Sequence, residues 1–155
     1  MEQKTQIQAA EGRQDLIITR EFDLPVALLY RAYTEAEIVA QWMGTKVLQL
    51  ENRQHGGYAF ETSDPQGHVL FKAHGTIHDV IPHRLIVRTF EMVQAPIGPQ
   101  LEFLEFESLD EERSRLTLHI IYRSEAHRAE ELKLPFAYGI NMAHDRLQEI
   151  LTTLK

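Results

Sequence analysis

From Lys46 to Tyr122 apolar residues recur at every second position, and only after that does the pattern return to a helical period. About eighty residues of alternation commit most of the chain to an antiparallel meander with one apolar face. Turn chemistry divides the run. Gly56-Gly57 leads from a strand over Lys46–Arg53 into Tyr58–Thr62, and Asp64-Pro65-Gln66-Gly67 places Pro and Gly where a type I turn favours them, so a hairpin to His68–Val80 follows. Pro82 and His83 precede a strand over Arg84–Val93. Ala95–Pro99 reads as a loop, because its two prolines and a glycine cannot sustain a ladder. Strands over Leu101–Leu109 and Ser114–Tyr122 flank the acidic turn Asp110-Glu111-Glu112. The apolar face of such a sheet needs a cover. One long helix from Phe136 onward, with Ile140, Ala143, Leu147, Ile150, Leu151 and Leu154 on one side, can supply it.

Before the meander, Leu16, Ile17, Ile18 and Phe22 predict a strand over Asp15–Phe22. Pro25 suits the first turn of a helix carrying Val26, Leu29, Tyr30 and Tyr33, and Thr34-Glu35-Ala36-Glu37 has the form of a capping box opening a second short helix. Ser124 can cap a helix to Leu134, which Pro135 interrupts. These breakers and the Ala95–Pro99 loop suggest a gate. Residues 1–14 read as a tail that adds little, leaving one domain over 15–155. The expected class is α+β: a curved antiparallel sheet wrapped around a long C-terminal helix, with two short helices after the first strand. Sheet and helix need not close completely on each other, which leaves room for a cavity.

Composition narrows the function. The chain of 155 residues has 16 basic and 23 acidic side chains, a net charge of −7, and no basic run, so it lacks the footprint of a nucleic-acid binder. The longest apolar run, Val26–Tyr30, is far too short for a membrane span. No apolar leader opens the sequence, and a cytoplasmic location is expected. Absence of cysteine excludes disulfides, thiolate metal sites and cysteine nucleophiles. His74 and His78 share one strand face yet lie about 13 Å apart at ~3.3 Å per residue, too far for one zinc ion. No metal or other cofactor is expected. Nucleotide-binding glycine loops and nucleophile elbows are missing, and Glu102, Glu105, Glu107, Glu111 and Glu112 read as a solvated face rather than a catalytic pair.

Ile18-Thr19-Arg20-Glu21-Phe22 followed by Pro25, Ala32–Thr34 leading to Trp42, Gly56-Gly57-Tyr58-Ala59-Phe60, Gly75–Val80 with Pro82, Arg84-Leu85 and Thr89, and Asp145-Arg146-Leu147 occur in a familiar order. From Asp15 to the C-terminus the chain resembles the START-like helix-grip superfamily, home of polyketide cyclases, birch-pollen-allergen-like proteins and lipid-transfer domains. Within it, the sequence is most similar to the branch named after the activator of heat-shock-protein ATPase homologue. The resemblance implies the fold and a tendency to hold small apolar molecules; it implies no particular reaction. Where many relatives carry a tryptophan after the glycine of the last helix, this chain has Ile140 after Gly139.

Strand parity proposes a pocket wall. Val69, Phe71, Ala73, Gly75 and Ile77 share one face, Tyr58 and Phe60 the corresponding face of their strand, and Leu116, Leu118, Ile120 and Tyr122 that of the last. Over Arg84–Val93, Ile86, Phe90 and Met92 compete with Leu85, Val87 and Val93 for the inward side. Arg20 shares parity with Ile18 and Phe22; it either points into the concavity or pairs with a strand glutamate such as Glu102 or Glu105. His144 and Tyr138 on the last helix could hydrogen-bond a ligand, and Trp42 is a packing anchor or a cavity edge. The candidate ligand-binding set is therefore Arg20, Trp42, Tyr58, Phe60, Phe71, Phe90, Tyr122, Tyr138 and His144. The leading function is non-catalytic or weakly catalytic binding of a small hydrophobic or aromatic molecule. The alternatives are a chaperone-accessory or stress-response domain, and a cyclase or dehydratase using His144 or Tyr138 as acid or base; a homodimer is a separate possibility.

Overall fold

The computed structural model describes residues 4–93, 95, 97–133 and 135–155; Pro96 of the expected loop and Leu134 of the expected gate lie outside them, as do the first three residues of the expected tail. Eight antiparallel strands form one curved sheet: β1 (Gln6–Gln8), β2 (Asp15–Phe22), β3 (Lys46–Leu50), β4 (Gly56–Ser63), β5 (Val69–Ile81), β6 (Leu85–Met92), β7 (Gln100–Asp110) and β8 (Arg113–Ile121). Their order across the sheet is β1-β2-β8-β7-β6-β5-β4-β3. Helices α1 (Val26–Thr34) and α2 (Ala36–Met43) follow β2, while α3 (Glu125–Leu132) and α4 (Phe136–Thr152) follow β8. This is the helix-grip arrangement, α+β in class.

Alternation explains the register. Leu16, Ile18, Arg20 and Phe22 of β2 are all buried, as are Leu116, Leu118 and Ile120 of β8, and Ile18 sits opposite Leu118. On β6 the inward set is Ile86, Arg88, Phe90 and Met92, with Ile86 fully buried and opposite Leu104 of β7. The β4–β5 hairpin closes as expected, with Asp64 Oδ1 accepting from the Gln66 and His68 amides and Gly67 at φ 87°. Gly75 is required by its neighbours: a Cβ there would meet the Thr89 carbonyl oxygen at 2.0 Å and the Tyr58 ring at 2.8 Å.

Two expectations need correction. The segment before Asp15 is part of the sheet: Gln6–Gln8 pairs with Ile17–Thr19, and Arg128 donates to the carbonyls of Ala10 and Asp15. Backbone pairing holds a stretch whose side chains carry almost no hydrophobic signal. The capping box does not form either. Glu35, not Thr34, is the N-cap of α2, and the Thr34 hydroxyl turns back to the Tyr30 carbonyl. Ser124 does cap α3, accepting from the His127 amide at 3.2 Å.

Candidate functional site

The inward faces of β6, β7 and β8 curve beneath α4, but α4 does not fill the hollow. Along α4, Phe136, Gly139, Ile140 and Ala143 follow one another at helical spacing and form its roof. Phe90, Met92, Leu118 and Ile120 form the floor, and Tyr33, Trp42 and Met43 close the side made by α1 and α2. The space has a volume of about 360 Å³, within the range of small-molecule sites. Trp42 is both anchor and wall: its Nε1 donates to the Ala32 carbonyl at 2.7 Å and its ring lies 5.1 Å from that of Tyr33.

The floor also has a polar corner. Arg88 and Glu102 are directly opposite each other on β6 and β7, and the guanidinium donates from Nε to Glu102 Oε1 at 2.9 Å. Gln100 donates to the other carboxylate oxygen at 2.8 Å. Arg88 also lies over the Tyr58 ring, 4.9 Å from its centroid. Burial disfavours the Arg88 charge, but Tyr58 and Glu102 outweigh it and hold the guanidinium more firmly protonated than usual. The ion pair is thus a built part of the wall.

Glu131 reaches the same cavity from α3, 5% exposed. Burial raises its pKa above the ordinary carboxylate value, the nearby Glu102 charge adds to this, and the Tyr122 hydroxyl works against it. Burial likewise pushes the Tyr122 phenol up, with the charge of Glu131 next in effect. The two side chains are close enough to influence each other's ionisation, yet neither the Tyr122 hydroxyl nor Glu131 Oε2 has a partner in hydrogen-bonding geometry.

Among the residues named from the sequence, Trp42 and Phe90 line the cavity. Tyr58, Phe60 and Tyr122 are buried in the core around it, and Phe71 is half-buried toward the far end of β5. Tyr138 is 70% exposed, because Phe136, Ile140 and Ala143 occupy the roof face and a residue two positions from Phe136 or Ile140 points elsewhere. Arg20 and His144 belong to a separate cluster. Arg20 donates to Asp145 at 2.8 Å and to Thr5 Oγ1 and Asn141 Oδ1, each at 3.2 Å; its acidic partner is on α4, not on a strand. His144 shares a 2.7 Å hydrogen bond with Thr5, stacks edge-on with Phe22 and is completely buried. Desolvation, then the Arg20 charge, lowers its pKa to about 3, so it is held neutral.

The residues overlooked were polar. Arg88 shares parity with Ile86, Phe90 and Met92, and Gln100 and Glu102 share it with Leu104 and Phe106. Parity read without regard to polarity turns all three inward; the solvated face expected for Glu102 does not hold, since it is 7% exposed. Glu131 leaves no such trace, because α3 is polar nearly throughout. Among the described residues, no three side chains converge as a metal site would require.

A family profile described as "Activator of Hsp90 ATPase homolog 1-like protein" matches residues 23–152. The chain belongs to this family. No curated protein sequence matches it. In three dimensions, this member of the Activator of Hsp90 ATPase homolog 1-like family is similar to protein Ms6760 from Mycobacterium smegmatis, with 16% identity, a TM-score of 0.84 and 96% of each chain covered. A Rhodobacter sphaeroides protein gives 17% identity and a TM-score of 0.86 over 97% of this chain and 99% of the other. The chain also matches DynU16, from the dynemicin biosynthetic locus, with 16% identity, a TM-score of 0.69 and coverage of 92% of this chain and 48% of that one. These likenesses carry the fold. No described helix is long and apolar enough to cross a membrane.

Proposed function

We propose that this protein binds a small hydrophobic or aromatic molecule in the cavity between the sheet and α4, without catalysing its conversion. The observation that carries this reading is the 360 Å³ space itself, walled mainly by Trp42, Phe90, Met92, Leu118, Phe136 and Ile140. Water in an apolar hollow gains little by staying, and an apolar occupant removes further surface from solvent at roughly 25 cal/mol per Å². The polar corner fixes orientation, as a few placed polar groups do in such sites. Family membership supports a binding role in general terms. A cyclase or dehydratase resting on His144 or Tyr138 finds no support in their positions, since neither lines the cavity. DynU16 comes from a biosynthetic locus, which is a statement about that protein.

Native mass spectrometry of the purified protein and thermal shifts against a lipid, flavonoid and polyketide panel test the proposal. A ligand at 100 times its Kd stabilises the folded state by about 2.7 kcal/mol, a readily measured shift. Silence in both assays would remove the reading. The chaperone-accessory alternative follows from the family's description, and a stoichiometric chaperone captured from lysate would favour it over a cavity role.

A further inference from the structure

The polar groups in the cavity wall are unequally provided for. Arg88, Glu102 and Gln100 satisfy one another. Glu131 does not share in this: 5% exposed and part of the lining, it has an Oε2 without a hydrogen-bond partner. The groups that bear on it are Tyr122 beside it and Glu102 across the floor, and neither is a cation. Arg88 is engaged by Glu102, and Arg128, one turn earlier on α3, directs its Nη1 to the carbonyls of Ala10 and Asp15; its Nε is unpartnered, and its charge bears on Tyr122. A buried carboxylate oxygen with only the Tyr122 hydroxyl beside it, outside good hydrogen-bonding geometry, is costly, and a purely apolar occupant would add no donor. An anion would meet Glu131 and Glu102 with Arg88 already neutralised. A protonated amine would complete Glu131 with a charge-assisted hydrogen bond, and Tyr33, Trp42, Phe90 and Phe136 make the lining rich in aromatic rings, the groups that attract a cation or stack on an aromatic body.

We propose that the occupant of this cavity is a hydrophobic cation: an apolar or aromatic body carrying a protonated amine whose N–H donates to the carboxylate of Glu131. The inference rests on the cavity-binding reading and narrows it to one ligand class. When the pair forms, a protonated Glu131 releases its proton to solvent and the amine keeps its own.

The test uses three probes of one shape, naphthylmethylamine, naphthylmethanol and naphthoate, titrated calorimetrically into the full-length protein. The amine is expected to bind about tenfold tighter than the alcohol or more, as a hydrogen bond between charged partners implies, with naphthoate weakest. Glu131→Gln, nearly isosteric, should erase the preference, bringing amine affinity down to that of the alcohol in the same variant. In the wild-type protein, amine affinity should rise with pH through the elevated Glu131 titration while alcohol affinity stays level; this arm decides the matter should the variant fail to fold. An alcohol or naphthoate that equals the amine, a preference that survives Glu131→Gln, or an amine affinity flat with pH would overturn the cation while leaving the cavity reading in place. Failure of all three probes to bind would remove both.

Discussion

In the C-terminal half of α4, His144, Leu147 and Leu151 are completely buried, whereas in the N-terminal half Phe136, Ile140 and Ala143 stay partly exposed and roof the cavity. One helix crosses one sheet, yet its two ends are packed differently. The middle of the helix is tied down by Arg20 and Thr5 through Asn141, His144 and Asp145, and by Arg146 donating to the Trp42 carbonyl at 3.0 Å. At the near end, Gly139 and Ala143 present small surfaces over β6 to β8 and leave the wall to polar residues from the strands and α3. The contrast shows how a single-domain protein keeps a hollow without collapsing into it. Close packing at one end supplies the rigidity that the other gives up.

The largest expected effect comes from the closed end. Leu147→Ala should destabilise by roughly 2 to 5 kcal/mol in urea unfolding, as core leucine truncations do, while Ile140→Ala should cost no more than about 1 kcal/mol because its methylenes already border open space. Equal losses would erase the distinction between the two halves. Next comes Arg20→Met, expected to cost roughly 1 to 3 kcal/mol. The Asp145 side chain it leaves behind is 42% exposed and can be rehydrated, but Thr5 and Asn141 lose a buried donor. Amide exchange should then quicken along β1, which that cluster ties to α4; unchanged protection there would show that backbone pairing alone holds the strand.

A pH-dependent effect isolates His144. Its folded-state pKa of about 3 lies below the usual 6.5, so the unfolded chain takes up the proton first as pH falls. The neutral buried form contributes stability that is fully present above about 6.5 and is lost on acidification toward 3. The slope from this residue approaches ~1 kcal/mol per pH unit. The stability gap between the wild-type protein and His144→Gln should therefore narrow between those limits, and a gap constant with pH would contradict the assignment. The smallest effect on stability is expected from Ile140→Trp: a change within about 1 kcal/mol, because the indole enters space already empty. Ligand affinity should fall at least about tenfold, or 1.4 kcal/mol, by the same calorimetric titration. Undiminished affinity would place the ligand outside the hollow.

Individual residues show what could be read in advance. Leu116, Leu118 and Ile120 declare their face by alternation, and Phe136, Ile140, Ala143, Leu147 and Leu151 declare theirs by helical spacing, because burial of apolar surface imposes those periods. Asp64, Gly67 and Ser124 act through the backbone within a few residues of themselves, and their roles follow from local chemistry. Thr34 shows the limit even of local signals, since its hydroxyl can either accept from the Glu37 amide as a cap or donate back to the Tyr30 carbonyl, and it does the second. Arg88 and Glu102 were legible in principle, lying on inward parity, but a charged residue signals solvent unless its partner is known, and that partner is 14 residues away on the next strand.

The sequence by itself determined the order of elements, the single curved sheet and the helix that grips it, since periodicity and turn residues encode burial directly. Only the tertiary structure decided that β1 joins the sheet, that Arg20 serves α4 rather than the cavity, and that Glu131 stands in the wall with one carboxylate oxygen unpartnered. Each of these depends on groups far apart in the chain meeting in space, and a linear pattern records which face a residue is on, not what waits opposite it.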